Sequence, residues 1–304
     1  VRVRYLHSDI DTLERIAQAL DTEVTALIYG PDAATEIGQL MRRCGSRLGL
    51  EAESVSLNFA RSLGRAVGRG AHLQAADGLV EELRVIKDAD EIKALERSFA
   101  LNHAMLRWLE ESQLQPGRSE AELAWAIEKY FRDNGASELA FPSIVAVDQN
   151  AALPHAIPGE KKLPDNGLVL VDVGCRVDGY CSDQTRTFWV GDAPHKEFRE
   201  TMKLVRDAQQ AALDKMRPGL PLHEAYTLAR GVFEKAGVEA WFTHGLGHGV
   251  GLETHEAPSL GRRGDKVLQE GMVVTVEPGL YYPQWGGIRW EYTVLITADG
   301  NRIL

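Results

Sequence analysis

The strongest constraint on the fold is an internal repetition. One long helical stretch ends at Gln115-Pro116-Gly117, and a second ends at Arg217-Pro218-Gly219. Each is followed by another helical stretch that closes in related text, YFRDNGA at 130–136 and VFEKAGV at 232–238. Each then gives a phenylalanine (Phe141, Phe242), a strand-like run, and a histidine near a proline, His155 in LPHAIP and His255 in THEAP. A single Pro-Gly helix start recurs by chance, but four matches in one order at one offset of about 100 residues mark a duplicated α/β unit. A pseudo-two-fold between the copies brings His155 and His255 to opposite sides of a central cleft.

The chain's 304 residues suffice for one large domain and a smaller one. Residues 1–80 read as the smaller, an N-terminal α/β domain. It has helical spacing over Asp9–Leu20, a strand over Val24–Tyr29, a helix from Pro31 to about Arg43, a helix over 56–67 and a short strand over 72–75. The pattern breaks at Ala76-Asp77-Gly78, and a long amphipathic helix from about Asp88 to Ser112 opens the second domain, residues 81–304. A net charge of −10 disfavours nucleic acid and anionic membrane as partners. No apolar run reaches the roughly 18 residues of a membrane helix. The opening VRVRYLHSD shows neither an apolar leader nor an initiator methionine, so the start is expected to lie inside the first domain. Three cysteines, Cys44, Cys175 and Cys181, are too few and odd in number for a disulfide framework and point to the reducing cytoplasm.

Four segments carry the chemistry. In LVLVDVGCRVDGYCSDQTRTF, residues 168–188, two β-rich runs flank Val177-Asp178-Gly179 and predict a hairpin. Asp172 and Asp183 are an odd number of residues apart, which puts both on one face of the ribbon, with Val169, Val171 and Val173 on the other. Asp disfavours strands, and burying it costs several kcal/mol unless it is paired. Two solvated, turn-proximal aspartates remain the alternative for this segment alone. In THGLGHGVGLETHEAP, residues 243–258, His244 and His248 are four apart, but Gly245, Gly247, Gly249 and Gly251 exclude a zinc-binding helix. Those glycines suggest backbone held close to a ligand or a neighbouring strand. In MVVTVEPGLY, Glu277 ends an apolar strand before a Pro-Gly turn. In GGIRWEYTVLIT, alternation puts Arg289, Glu291 and Thr293 on one strand face and Ile288, Trp290, Tyr292 and Val294 on the other. Each strand alone also fits a solvated edge. Taken together, four converging carboxylates would repel one another and raise their pKa values, unless two divalent cations cancel the charge. Oxygen-rich ligation with one imidazole suits manganese, cobalt or zinc.

The segments DVGCRVDGYCSDQTRTF, HGLGHGVGLETHE, TVEPGLY and GIRWE, in that order after IKDADEIKALE, resemble the pita-bread metallopeptidases over about residues 84–304. This family comprises Xaa-Pro dipeptidases (prolidases), aminopeptidase P, methionine aminopeptidase and the metal-free creatinases. The resemblance implies an α+β pita-bread catalytic domain behind a smaller N-terminal α/β domain, with two divalent metal ions, manganese first. It implies Asp172 on one metal, Asp183 and Glu291 bridging both, and His248 and Glu277 on the second. It makes His155, His244 and His255 substrate or transition-state contacts, with Arg289 beside the bridging Glu291. Glu277 is then the candidate to carry a proton from the attacking water to the leaving nitrogen, and His255 to stabilise the oxyanion.

The N-terminal module and the THE ending point to the Xaa-Pro branch, acting on a small peptide with proline in second position. The expected activity is Xaa-Pro dipeptide hydrolysis; aminopeptidase P acting on longer peptides is the alternative. The complete ligand set argues against a creatinase and against a non-catalytic binding protein. A homodimer is expected from the family. A dipeptide's carboxylate calls for a cation, for which Arg289 is the candidate, with Arg2, Arg4, Arg42 and Arg43 as further basic residues. Tyr292 departs from the family pattern, standing where prolidase relatives usually carry Asp, and the N-terminal module is short.

Overall fold

The structure, a computed structural model, describes residues 32–42, 46–70 and 72–304. The readings over Asp9–Leu20 and Val24–Tyr29, and those on Arg2, Arg4, Arg43 and Cys44, lie outside the described residues. The chain divides into two compact units at Leu83/Arg84.

In the first unit, helix α1 (Ala33–Met41) and helix α2 (Leu57–Val67) accompany strands β1 (Arg47–Leu50) and β2 (His72–Ala75). The Ser56 hydroxyl caps α2 by accepting from Phe59 N. The two strands pair in parallel, Arg47 opposite His72, so α2 is the crossover of a β-α-β unit. Leu48, Leu63 and Val67 form its small core. Arg42 donates from Nε to the carbonyls of Ala66 and Val67, so this cation is spent within the unit.

The second unit begins with helix α3 (Ala89–Trp108), closed at its start by a reciprocal capping box between Asp88 and Glu91. The expected helix to Ser112 continues only as a π-helical turn, Leu109–Gln113. Helix α4 (Glu120–Asp133) and strands β3 (Ile144–Val147), β4 (Gly167–Val173), β5 (Cys175–Val177), β6 (Tyr180–Cys181) and β7 (Gln184–Val190) complete the first half. The second half holds helices α5 (Lys196–Leu213) and α6 (Leu222–Ala236). Its strands are β8 (Gly247–Gly249), β9 (Glu256–Leu260), β10 (Val273–Val276), β11 (Gly279–Tyr282), β12 (Gly286–Arg289), β13 (Tyr292–Ile296) and β14 (Asn301–Ile303). A three-stranded sheet runs β3-β4-β7; a five-stranded sheet runs β9-β8-β10-β13-β14.

The duplication is visible in the hydrogen bonds. Gly117 N bonds Leu163 O, Leu163 N bonds Arg118 O, and Glu120 N bonds Lys161 O. In the other half Gly219 N bonds Leu268 O, Leu268 N bonds Leu220 O, and Leu222 N bonds Lys266 O. The helix exits match as well, Ala136 N to Phe131 O and Val238 N to Phe233 O. Each half therefore sets a helix pair over a sheet whose central strand is β4 or β10.

Strand β4 is covered on both faces. Val169, Val171 and Val173 pack with Met105, Leu123, Ile127 and Phe131 from α3 and α4. Leu168 and Leu170 belong to the core that holds Val205 and Ala208 of α5 and Ala225 and Phe233 of α6. Fully burying a Val or Leu contributes about 1.5–3 kcal/mol, so the rows on both faces fix the strand's register. Asp172 is thereby committed to the Leu168/Leu170 face, the inner side of the two halves.

Candidate metal centre

The Asp178-Gly179 turn has φ of +50° and +82°, which suits the two-residue hairpin expected there. Asp172 pairs with Thr185 and Val173 with Gln184 across β4 and β7, while Arg176 pairs with Cys181 across β5 and β6. In this single register Asp183 stands opposite Gly174, diagonal to Asp172 on the same face. A Cβ at Gly174 would lie 2.1 Å from the Ser182 carbonyl oxygen, so the ribbon crosses at this point only because residue 174 is glycine.

The histidine segment is the short strand β8, not a helix. Cβ atoms at Gly247 and Gly249 would stand 2.0 Å from Thr275 O and 2.2 Å from Ala257 O. The glycines let β8 press between β9 and β10 and set His248 beside Glu277, the residue after β10. The His248 Nδ1 edge faces Gly249 O at 3.0 Å. Donation there leaves Nε2 as the free ligand atom. Nε2 lies 3.5 Å from Asp183 Oδ2 and 3.4 Å from Glu277 Oε1.

The expected single strand over 286–297 is two strands. β12 pairs with β11, and β13 pairs with β10 in the large sheet. Trp290 and Glu291 bridge them, Glu291 N bonding Thr185 O. Alternation continues unbroken through the switch, which is why the sequence hides it. Glu291 is 1% exposed; its Oε2 accepts from the Thr185 hydroxyl at 2.9 Å. Arg186 donates to the Glu291 carbonyl at 2.5 Å and stacks on Trp290 and on Tyr292.

Asp172, Asp183 and Glu291 each offer an oxygen, and the three lie within 4.8 Å of one another. Asp172 Oδ1 and Glu291 Oε1 are buried without a hydrogen-bond partner. Burying such an acceptor costs about 1–3 kcal/mol unless something satisfies it. Burial, reinforced by Glu291, Asp172 and Glu277, raises the Asp183 carboxyl well above its ordinary range. Burial and then Glu277 and Asp172 push Glu291 up to about 8. Burial works against a charged His248, but its hydrogen bond and attraction to Glu277 prevail and raise it to about 9. Glu277 settles at about 2, because the His248 hydrogen bond and charge outweigh its own burial. Asp183, Glu291 and His248 are thus raised while Glu277 is lowered, and a divalent cation bound at the raised groups would displace their protons. The donor set fits divalent metal binding.

Beside these carboxylates, Arg289 is 3% exposed and hydrogen-bonded through each of its three nitrogens. Nη2 reaches Asp172 Oδ2 at 2.6 Å, Nε reaches Thr185 Oγ1 at 2.9 Å, and Nη1 reaches Tyr281 Oη at 2.8 Å and Pro154 O at 3.3 Å. All three guanidinium nitrogens have hydrogen-bond partners inside the protein, Asp172 among them. His244 is likewise held at both ring nitrogens, Nδ1 at 2.7 Å from Gly245 O and Nε2 at 2.8 Å from Tyr281 Oη. Because the Tyr281 oxygen accepts from Arg289, its proton points to His244 Nε2. Burial lowers the pKa of His244 and keeps it neutral. His255 is exposed, its ring 4.3 Å from that of His248 between centroids. Burial and then the charge of His248 lower its pKa. His155 is exposed on the loop after β3.

Tyr281, Thr185 and Thr275 were not singled out from sequence. Thr275 accepts from His248 N and donates to Glu277 Oε1, tying two ligands together. The available signal was periodicity: Thr275 is two residues before Glu277, and Thr185 is two after Asp183.

The model of metallopeptidase family M24 matches residues 93–298. A Xaa-Pro dipeptidase of Pyrococcus furiosus is 39% identical over 229 residues, 75% of this chain; the chain spans 65% of that relative's length. Among solved structures, the Xaa-Pro dipeptidase from Bacillus anthracis superposes with a TM-score of 0.86 at 34% identity, covering 97% of this chain and 82% of that one. The X-Pro aminopeptidase from Thermotoga maritima gives 0.81 at 32%, covering 93% and 80%. The second unit has the pita-bread fold of these structures. With two carboxylates from one half of a duplicated scaffold facing a histidine and two glutamates from the other, and a family match across both halves, the chain belongs to metallopeptidase family M24.

Proposed function

We propose that the protein is a dinuclear metal-dependent peptidase that hydrolyses the bond preceding proline, with Xaa-Pro dipeptides as its substrates. The convergence of Asp172, Asp183, His248, Glu277 and Glu291, with unpartnered buried oxygens on Asp172 and Glu291, carries this reading. These five side chains would hold the ions; manganese is the first choice for so oxygen-rich a set, and cobalt or zinc the next. When bound, divalent ions supply Lewis acidity toward a carbonyl and a water acidified to near neutral pH.

The protein's own groups supply the rest. Glu277, whose Oε1 faces His248 and Thr275 and whose other carboxylate oxygen is spare, is the acceptor for the attacking water's proton and delivers it to the proline nitrogen, which has none of its own. Neutral His255 stands where it can donate to the developing oxyanion. His155 faces the proline side. Arg289 and Tyr281 hold Asp172 and His244 still rather than binding substrate.

The engagement of Arg289 also favours a second reading, aminopeptidase P-type cleavage of longer peptides, since no described arginine at this centre is left to take a dipeptide's carboxylate. Hydrolysis of Xaa-Pro and Xaa-Pro-Xaa at equal concentration separates the two: a higher kcat/KM for the tripeptide overturns the dipeptidase proposal. Loss of activity on chelation, with recovery on adding manganese, is the expected result for either.

The same proposal places the protein in the cytoplasm as a homodimer. The free, buried thiols Cys175 and Cys181 are consistent with a reducing compartment, and sedimentation measures the assembly. No helix among the described residues is long and apolar enough to cross a membrane.

A further inference from the structure

His155 is an exposed residue of the loop between β3 and β4, and a histidine that must meet a substrate needs its backbone held in place. The loop carries Leu153 at 62% and Ile157 at 89% exposure around His155, while the neighbouring Ala156 is buried in the core and the Pro154 carbonyl accepts from Arg289 Nη1. Its base is held differently. Glu120, the first residue of α4, is 1% exposed, and both carboxylate oxygens point into the loop. Oε1 accepts from Val147 N at 2.7 Å and from Asn150 Nδ2 at 2.8 Å, where the chain enters the loop. Oε2 accepts from Gly159 N at 3.0 Å, where the chain leaves it.

The duplicated half shows that the fold does not need this carboxylate. The step that carries Ser119 to Pro221, matched by their isolated bridges to Lys162 and Val267, carries Glu120 to Leu222. Leu222 is buried in the hydrophobic core. The same helix start over the same strand is thus stable with a leucine in one half. A buried carboxylate stands at this helix start only in the half whose loop bears His155; the half that bears His255 has the buried Leu222 there. Burying such a group is unfavourable unless it is fully hydrogen-bonded, and here every bond but one backbone amide of β3 goes to that loop.

We propose that Glu120 is a positioning residue for the reaction: it clamps the two ends of the loop 148–159 and so sets where His155 stands beside the metal centre. This rests on the peptidase reading insofar as His155 is taken to face substrate. Glutamine at this position keeps one acceptor oxygen, favoured at the site with two donors, and turns an amide N–H toward Gly159 N. Glu120→Gln therefore frees the exit of the loop and keeps its entrance.

The test is a double-mutant cycle with hydrogen exchange. In the holoenzyme, Glu120→Gln is expected to lower kcat/KM on Xaa-Pro peptides by about 10- to 100-fold, the scale of a misplaced contact. It should leave metal affinity by calorimetry unchanged, and have no further effect in a His155→Ala background. The Gly159 amide should lose protection while Val147 keeps it. Equal losses in both backgrounds, or a parallel loss of metal affinity, would assign Glu120 a general structural role and overturn the proposal, as would unchanged protection at Gly159. If the wild type hydrolyses none of these peptides the peptidase reading fails by itself, and the exchange measurement still decides whether Glu120 holds the loop. Should Glu120→Gln fail to fold, Asn150→Ala removes one bond from the loop side and enters the same cycle.

Discussion

The two halves of the second unit use one scaffold for different chemistry. The step from Lys161 to Lys266 and from Leu163 to Leu268 also carries Asp172 to Glu277, so the central strands β4 and β10 each deliver a carboxylate at the same point. The neighbouring strands diverge. β3 contributes only buried apolar residues, Ile144 to Val147, whereas β8 is pared to Gly247-His248-Gly249 and delivers an imidazole. The first half supplies oxygen donors alone; the second adds the nitrogen and the residue proposed to move protons. Duplication preserved the hydrogen-bonded frame, and function was written in the few positions where the copies disagree.

The largest effect is expected where the halves meet. Glu291→Ala removes a proposed bridge between them, and kcat should fall on the order of 10³-fold, several kcal/mol of charge stabilisation. A variant that keeps wild-type kcat would show that the second half does not share its metal with the first. Transplanting the asymmetry probes the frame itself. Leu222→Glu imposes the first half's carboxylate on the second, where the following segment offers no matching loop. The unpaired buried charge should cost about 3–5 kcal/mol in denaturant unfolding. A near-neutral outcome would mean that the second half can also build a clamp.

A smaller effect is expected from Thr185→Val, which deletes the hydroxyl shared by Glu291 Oε2 and Arg289 Nε. Metal affinity should drop by about 10- to 100-fold, read by calorimetry. An unchanged affinity would place the orientation of Glu291 elsewhere.

The smallest effect is a pH dependence. Glu291 near 8 and His248 near 9 both lie above their ordinary values. In the metal-free protein these groups add stability below their unfolded pKa values, and that stability is lost as pH rises through about 8 and 9. Metal binds the deprotonated ligands. The gap in Tm between metal-loaded and metal-free protein should therefore widen from pH 6.5 to 9. A gap that narrows over this range would contradict the assigned proton affinities.

Much of this was legible in the sequence because it depends on local parity. The placement of Asp172 and Asp183 on one face needs only a two-residue turn and an even/odd count. The glycines around His248 reject a helix by themselves. What stayed hidden depends on distance. The partners of Arg289, Asp172 and Thr185, lie 117 and 104 residues away, and no local pattern announces them. The break between β12 and β13 is silent because both strands keep the same alternation. Glu120 resembles an ordinary acidic first-turn residue, and only the loop folded over it reveals its burial.

The span between Asp172 and Arg289 has a consequence for synthesis. As the chain leaves the ribosome, β4 and its hairpin emerge with two aspartates whose guanidinium partner and bridging glutamate have yet to be translated. The nascent first half must hold a repulsive pair of acids in a strand otherwise made of valine and leucine, and the last strands to emerge relieve it. Contacts of such sequence separation form late and slowly, so acquisition of metal should report completion of the whole duplicated unit. A chain interrupted before Glu291 would present the hairpin without the proposed bridging carboxylate, and should bind metal more weakly than one that extends past it.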